Sequence, residues 1–445
     1  MSARGQFSSR IGFVLAAAGS AVGLGNIWGF PTQVASNGGA AFVLVYIILA
    51  FMLAYPVLMA ELIVGRATRS NMVDALDKVS GSVFGRMTGY WGFITVSAIL
   101  AFYSIVAGWM LAYFFETVTD LLGLTSVSQW LTEFSVSRNI VFCAIFSVMT
   151  AAIVVGGVSD GIERWSVRLM PTLILLILLL IVYVAFQDGA AEGWNAYVVP
   201  DFTAVWHPEL LISAMGQAFF SMSLGVGTML VYGSYVDSKE NLPVLGASVS
   251  LVDIGVAILA GMLIIPAMYV ALHSGVTIFK EDGSLINGDS LIFTVLPALF
   301  DTMGTMGIVV AFAFFALMVI AALTSSISML EVPVAYVVEN KGVSRKKAVW
   351  AIACLVFVAS TIINLNFSSL FGLVITLSTE YSQPLLGLAI SIFVGWVWKR
   401  NSALEELKKG DAGAEHTWFW RIWPWYLRFV CPVVIVVMFY RSVFA

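Results

Sequence analysis

Charge is what this chain has least of. Of its 445 residues only 11% are Asp, Glu, Lys or Arg, whereas 60% are hydrophobic; a water-soluble domain carries about 25% charged and about 45–50% apolar residues. With a mean hydropathy of +0.95, that balance excludes a soluble globular fold and implies a polytopic helical membrane protein. Cysteine is nearly as scarce. Cys143, Cys354 and Cys431 are scattered through apolar segments, a pattern that implies neither a disulfide framework nor a clustered metal site. The three histidines, His207, His273 and His416, are isolated from one another. There is no P-loop to hydrolyse ATP and no His, Cys or carboxylate cluster to build a catalytic site, so the chain reads as a non-enzyme. Nothing in it signals nucleic-acid binding. The intramembrane charges are too sparse for the continuous polar file of an ion channel. The first apolar run lacks a small-residue cleavage site and reads as a retained helix, not a signal peptide.

What is present is a series of long apolar runs. They predict an all-α polytopic protein of about eleven transmembrane helices, near 11–36, 40–65, 88–122, 138–157, 165–187, 210–236, 242–272, 305–338, 347–364, 369–398 and 426–444. The lysines and arginines set the orientation. Most of the 22 fall in loops on the N-terminal side, while Arg138, Lys280 and Arg441 fall on the other. The expected arrangement has a cytoplasmic N-terminus, a C-terminus outside, and a location in the plasma (inner) membrane of a bacterium. Trp418, Trp420, Trp423, Trp425 and Tyr426 read as an aromatic belt at the inner face.

Two runs are interrupted. Gly19-Ser20-Ala21-Val22-Gly23-Leu24-Gly25-Asn26 breaks the first, and each Gly in a helix costs about 1 kcal/mol against Ala. Backbone unpaired by such a break survives in a membrane only where protein or a polar cavity satisfies it. The alternative is that Gly19 and Gly23 form a small-residue packing seam. The sixth run carries a similar interruption, Gln217 to Gly227. Five spans separate the two, so the sixth enters from the opposite face. This points to a 5+5 inverted repeat with broken helices 1 and 6, in which substrate binds at the midplane and alternating access operates. The expected organisation is one transmembrane domain over 1–445: repeat one about 8–187, repeat two about 208–398, and an extra helix about 426–444. Asp253, Thr324, Ser325 and Glu331 are further polar residues inside spans and candidates by default, although Thr324 and Ser325 could simply bond their own i−4 carbonyls. Glu61 reads as a structural partner for an inner-face group. Gly161 and Pro171, ten residues apart, flank a stretch that is either an ordinary helix start or a helix that can unwind.

Ala17-Ala18-Gly19-Ser20-Ala21-Val22-Gly23-Leu24-Gly25-Asn26-Ile27-Trp28, Gly216-Gln217 with Phe219 to Gly227, and Leu323-Thr324-Ser325-Ser326 resemble the neurotransmitter:sodium symporter family. The resemblance runs over residues 4 to 440 and is strongest to bacterial members that carry several hydrophobic amino acids; broken helices are known in that family. It implies two sodium ions. The first would be held by Ala21, Asn26, Ser221, the substrate carboxylate and Asp253, unless Asp253 stands one layer further out as a supporting charge. The second would be held by Gly19, Val22, Ala321, Thr324 and Ser325. The implied substrate pocket comprises the backbone of Ala21, Val22, Gly23, Leu24 and Gly25, with Ile99, Tyr103, Phe219, Phe220, Ser221, Ser223, Val226, Ser325 and Met329. Gly23 stands where amine-transporting relatives carry an Asp, which favours an α-amino acid. Val226 replaces a Phe of the leucine-transporting relative, which implies a roomier apolar pocket.

The inner gate is expected from Arg4, Phe7 and Glu339, and Gly161 to Pro171 resembles the family's unwinding motif in span five. The outer gate departs from the family. Gly29 replaces its Arg, and Phe371-Gly372-Leu373 lacks the acid of span ten, so closure would rest on Tyr103 and Phe220. The usual twelfth span is also missing. Chloride is expected to be dispensable, with Asp253 or Glu331 supplying negative charge. The implied function is sodium-coupled import of hydrophobic L-amino acids, aliphatic and aromatic, by a monomer or weak homo-oligomer in the lipid bilayer. The alternative is a proton-coupled or uncoupled amino-acid carrier of the same fold.

Overall fold

A computed structural model describes residues 5–203, 205, 208–278 and 291–444, and these contain helices but no strand. Among the described residues, eight helices are long and apolar enough to cross a membrane: Ala40–Thr68, Val83–Leu121, Val136–Val155, Val158–Ala185, Leu242–His273, Thr305–Lys341, Arg345–Leu365 and Trp418–Arg441. Two more spans are bent pairs. Arg10–Ala21 meets Gly25–Ser36 at 56°, and Phe367–Val397 meets Arg400–Lys408 at 96°. The sixth span of the predicted series is divided into Pro208–Ser221 and Thr228–Gly233, each too short to cross alone. All-α architecture with interruptions in the first and sixth spans is therefore what the chain adopts.

Local chemistry explains where these helices begin. Ser9, Ser82, Ser135, Asn241 and Thr417 each accept a hydrogen bond from a backbone N–H two or three residues beyond the cap, satisfying one of the donors that a helix start leaves open. Burial then sorts the spans. The most apolar stretch of the third span is 83% buried, whereas those of the fifth and of the last are each 28% buried. The third span packs along the eighth through the middle of the bundle, and the fifth and last spans lie at its edge. The aromatic belt is only half what its composition suggests. Trp418 and Trp425 are exposed, but Trp420 and Trp423 are buried, and the Trp423 indole donates to the Pro56 carbonyl at 2.9 Å.

Candidate functional site

The first break occupies Val22 to Leu24. Regular helix bonding runs as far as the Val22 N–H on Ala18 O, at 2.6 Å, and resumes when the Asn26 and Ile27 N–H groups reach Gly23 O at 3.1 and 3.3 Å. Between these points the backbone is held by side chains. Asn26 Oδ1 accepts from Gly23 N–H at 3.2 Å, and the Tyr103 hydroxyl accepts from Leu24 N–H at 3.4 Å. Gln217 Nε2 donates to Gly25 O at 2.7 Å. The Ser325 hydroxyl lies 3.3 Å from Gly19 O and 3.1 Å from Val22 O. Beside it the Thr324 hydroxyl reaches Ile320 O and Ala321 O at 3.1 and 3.0 Å. Thr324 thus does make its local i−4 bond, whereas Ser325 spends its hydroxyl across the interface. Gly19, Val22, Ala321, Thr324 and Ser325 come together as one group of oxygens.

A second group lies on the other side of the break. Asn26 Nδ2 donates to Ser221 Oγ at 2.9 Å and to Asp253 Oδ1 at 2.7 Å, and Ser221 Oγ donates to Asp253 Oδ2 at 2.8 Å. Tyr46 OH stands 3.2 Å from Ser221 Oγ. All four residues are buried. Both groups offer only carbonyl, hydroxyl, amide and carboxylate oxygen, a donor set that suits a hard cation.

Between them is a small cavity lined by Ala21, Gly23, Leu24, Gly25, Ile99, Tyr103, Phe220, Ser221, Ser223, Val226, Ser325, Met329 and Gln383. Twelve of these are expected from the sequence; Gln383, from the tenth span, is not. Two expected residues do not line it. Val22 contributes its carbonyl to Ser325, and Phe219 turns toward the tenth span, where a Cβ on Gly387 would lie 2.5 Å from its ring. Glycine at 23 is a spatial requirement, since a Cβ there would lie 2.5 Å from Ser325 Oγ and 2.9 Å from Tyr103 OH.

The sequence profile of the sodium:neurotransmitter symporter family matches residues 4–139 and 133–445. The chain belongs to this family. It is 36% identical to the sodium-dependent transporter YhdH of Bacillus subtilis (strain 168), over 98% of this chain and 96% of that one. It is 28% identical to the sodium- and chloride-dependent GABA transporter 2 of Rattus norvegicus, over 66% of this chain and 55% of the other. A crystal structure of MhsT in complex with L-phenylalanine superposes with a TM-score of 0.84 at 35% identity, over 99% of this chain and 100% of MhsT. The chain is accordingly a sodium-dependent membrane symporter and not an enzyme.

Several side chains of the symporter have different surroundings from those expected. Glu61 is a structural partner of the sixth-span backbone. Its carboxylate takes Gly225 N–H at 2.7 Å and Leu230 N–H at 3.2 Å, holding the interruption of the sixth span, where Ser223, Gly225 and Gly227 all have positive φ. Glu331 is remote from the chloride question, because it pairs with Arg345 at 2.5 Å and accepts from Tyr235 OH at 2.7 Å. A carboxylate does reach the wider cavity above Phe220. That cavity is lined by Gly29, Gln33, Gln217, Phe219, Phe220, Thr379, Glu380 and Gln383, among others. The acid sought near Phe371 is absent there, but Glu380 stands further along the same span. Phe220 and Gln383 border both cavities.

At the opposite end, Arg4 lies outside the described residues. Phe7 is packed edge-on against Phe13, Tyr232 and Tyr235, and its N–H donates to Tyr235 O at 3.2 Å. Glu339 accepts from Asn71 through backbone N–H at 2.9 Å and Nδ2 at 3.0 Å. Gly161 sits in a wide, π-helical turn, Val158–Glu163, that precedes the regular helix containing Pro171. Glu163 ends that turn and reaches the N-terminal segment, accepting from Ser8 N–H and Oγ at 2.7 and 2.8 Å and from Ser9 N–H and Oγ at 3.1 and 2.9 Å. Met170, beside Pro171, abuts Gly19 and so borders the Thr324–Ser325 oxygen group.

Proposed function

We propose that this symporter imports hydrophobic L-amino acids together with two sodium ions, by alternating access between the two faces of a bacterial plasma membrane. The observation that carries the reading is the division of the central cavity. One end carries the broken backbone at Gly23 to Gly25 with Tyr103 and Ser221, and the Phe220 ring lies against Gly25; the remaining lining of Ile99, Val226 and Met329 is apolar. An α-amino acid with an apolar side chain has the same two ends. The space needed at Gly23 supports this, because an Asp there, as in amine carriers, would collide with Tyr103 and Ser325.

Asn26 suggests how ion and substrate are linked. Its Oδ1 now holds Gly23 N–H, and its Nδ2 faces Ser221 and Asp253. To coordinate sodium it turns Oδ1 toward those oxygens and releases Gly23 N–H, which becomes a donor for the substrate carboxylate. The second ion occupies the group of Gly19, Val22, Ala321, Thr324 and Ser325. On the cytoplasmic side, unwinding at Gly161 opens the way past Met170. Two sodium ions with a zwitterion would draw about 4.6 kcal/mol from each 100 mV of membrane potential. The Asp253 carboxylate, held by Asn26 and Ser221 near Tyr46, supplies a fixed negative charge and makes chloride dispensable. The working unit is a monomer or weak homo-oligomer with an outside C-terminus. Its repeats span about 8–187 and 208–398, with an extra helix about 426–444.

The test is equilibrium binding of labelled leucine and tryptophan to the purified symporter, with sodium titrated against choline. Saturable, sodium-requiring binding with a Hill slope above one is expected. Binding indifferent to sodium would favour the proton-coupled or uncoupled carrier. Replacing chloride with gluconate should leave uptake unchanged.

A further inference from the structure

Gln383 stands at the start of the helical stretch Gln383–Ile392 in the tenth span, a span whose other contributions to the cavities are Thr379, Glu380 and Pro384. Its side chain is 97% shielded, with a relative exposure of 3%, and it forms no hydrogen bond to any described residue. A side-chain amide carries two donors and an acceptor of two lone pairs. A group of that capacity is ordinarily paired with protein, with water or with a bound molecule. Yet this amide borders both the central cavity and the wider one above Phe220. The buried amides facing the first break are all engaged: Asn26 on Ser221 and Asp253, and Gln217 on Gly25 O. Gln383 differs from them in facing open space without a protein partner.

Its place relative to the broken helices says which part of a substrate it would meet. The backbone at Gln383 lies against the second interruption, where a Cβ on Gly225 would be 2.5 Å from Gln383 O. Gly225 adjoins Val226, which belongs to the apolar end of the cavity. The residue therefore stands on the Gly225–Val226 side of the central cavity. The geometry points to Gln383 as a specificity residue that hydrogen-bonds a polar group at the tip of a large substrate side chain, so that the preferred substrates are amino acids with a phenol or an indole. Ile99, Val226, Met329 and Phe220 cover the ring, and Gln383 meets the O–H or N–H. Methionine adds an adaptable surface for a flat ring. A site built around a hydrogen bond rejects the analogue that lacks the partner, because its own polar group is then left bare.

This inference rests on the amino-acid reading above, and its test separates the two. Sodium-dependent binding of leucine, phenylalanine, tyrosine and tryptophan is measured on the full-length symporter and on Gln383→Leu. Tyrosine is expected to bind roughly tenfold more tightly than phenylalanine, the worth of one buried hydrogen bond. In Gln383→Leu that ratio should fall to about one. Equal binding of tyrosine and phenylalanine by the unaltered symporter overturns the role of Gln383 and leaves the amino-acid reading intact; this comparison needs no variant to fold. The same conclusion follows if Gln383→Leu weakens all four ligands equally. Failure of all four to bind with sodium overturns the amino-acid reading and this inference with it.

Discussion

The two interrupted helices solve the same problem by different means. At the first, no residue from Val22 to Leu24 takes a left-handed conformation, and the freed backbone is held by hydroxyls and amides from other parts of the fold. Several of these bonds are long: 3.4 Å from Leu24 to Tyr103, 3.2 Å from Gly23 to Asn26, and 3.3 Å from Ser325 to Gly19. At the second, Ser223, Gly225 and Gly227 turn the chain through positive φ, and the buried carboxylate of Glu61 fastens it, at 2.7 Å to Gly225 and 3.2 Å to Leu230. Neutral groups at the limit of hydrogen-bond distance exchange readily for an ion or a carboxylate; a buried carboxylate on two amides does not. On the proposed reading, ligands would come and go at the first break, and the second would be the wall against which they are held.

That contrast can be broken most severely at Glu61. Glu61→Ala leaves two buried N–H groups without a partner, a loss of roughly 2–6 kcal/mol, and should appear as a large drop in the thermal midpoint of the purified symporter. If it instead leaves stability intact and only shifts sodium affinity, the two breaks are equivalent. Next in size is Gly23→Ala. Its Cβ collides with Ser325 and Tyr103, and overpacking of about 1–3 kcal/mol should weaken amino-acid binding and lower the thermal midpoint, by less than Glu61→Ala does. Asn26→Ala should raise the sodium midpoint for substrate binding about tenfold, as expected for one lost ion contact; an unchanged titration removes Asn26 from the ion site. The last test, Gly161→Ala, is read as a rate. A Cβ there would lie 2.2 Å from the Ile153 backbone oxygen, so the turn must shift to accept it and some loss of thermal stability is expected as well. Sodium release should slow in a stopped-flow assay while binding is spared, and normal turnover would refute the hinge.

Much of this was legible before any coordinates, for a physical reason. Lipid offers no hydrogen bonds, so spans must be long apolar helices and their interruptions must mean something. Hence the eleven runs and both breaks could be read directly, whereas the meeting of Asn26, Ser221 and Asp253, distant in sequence, was implied only by the family resemblance. What escaped notice depends on rotation about helix axes, which apolar runs do not record. Phe219 and Phe220 are adjacent, yet one packs on Gly387 and the other borders the cavity. Glu61 looked like an inner-face partner because its neighbours in sequence are near that face; its real partners, Gly225 and Leu230, lie in another helix. Glu380 and Gln383 sit beyond the segment where a gate acid was sought, and a polar cluster before Pro384 reads equally well as an ordinary helix start.

The carboxylate of Glu163 has a mechanical consequence. It ends the wide turn of the fifth span, and it also binds Ser8 and Ser9 at the head of the first. Because a buried charge stripped of its partners is costly, neither piece can move far while the other stays. The two work as an interlock: on the reading above, the N-terminal plug and the unwinding turn are released in one step. A state with one open and the other shut, through which sodium could slip alone, is disfavoured by the same four hydrogen bonds.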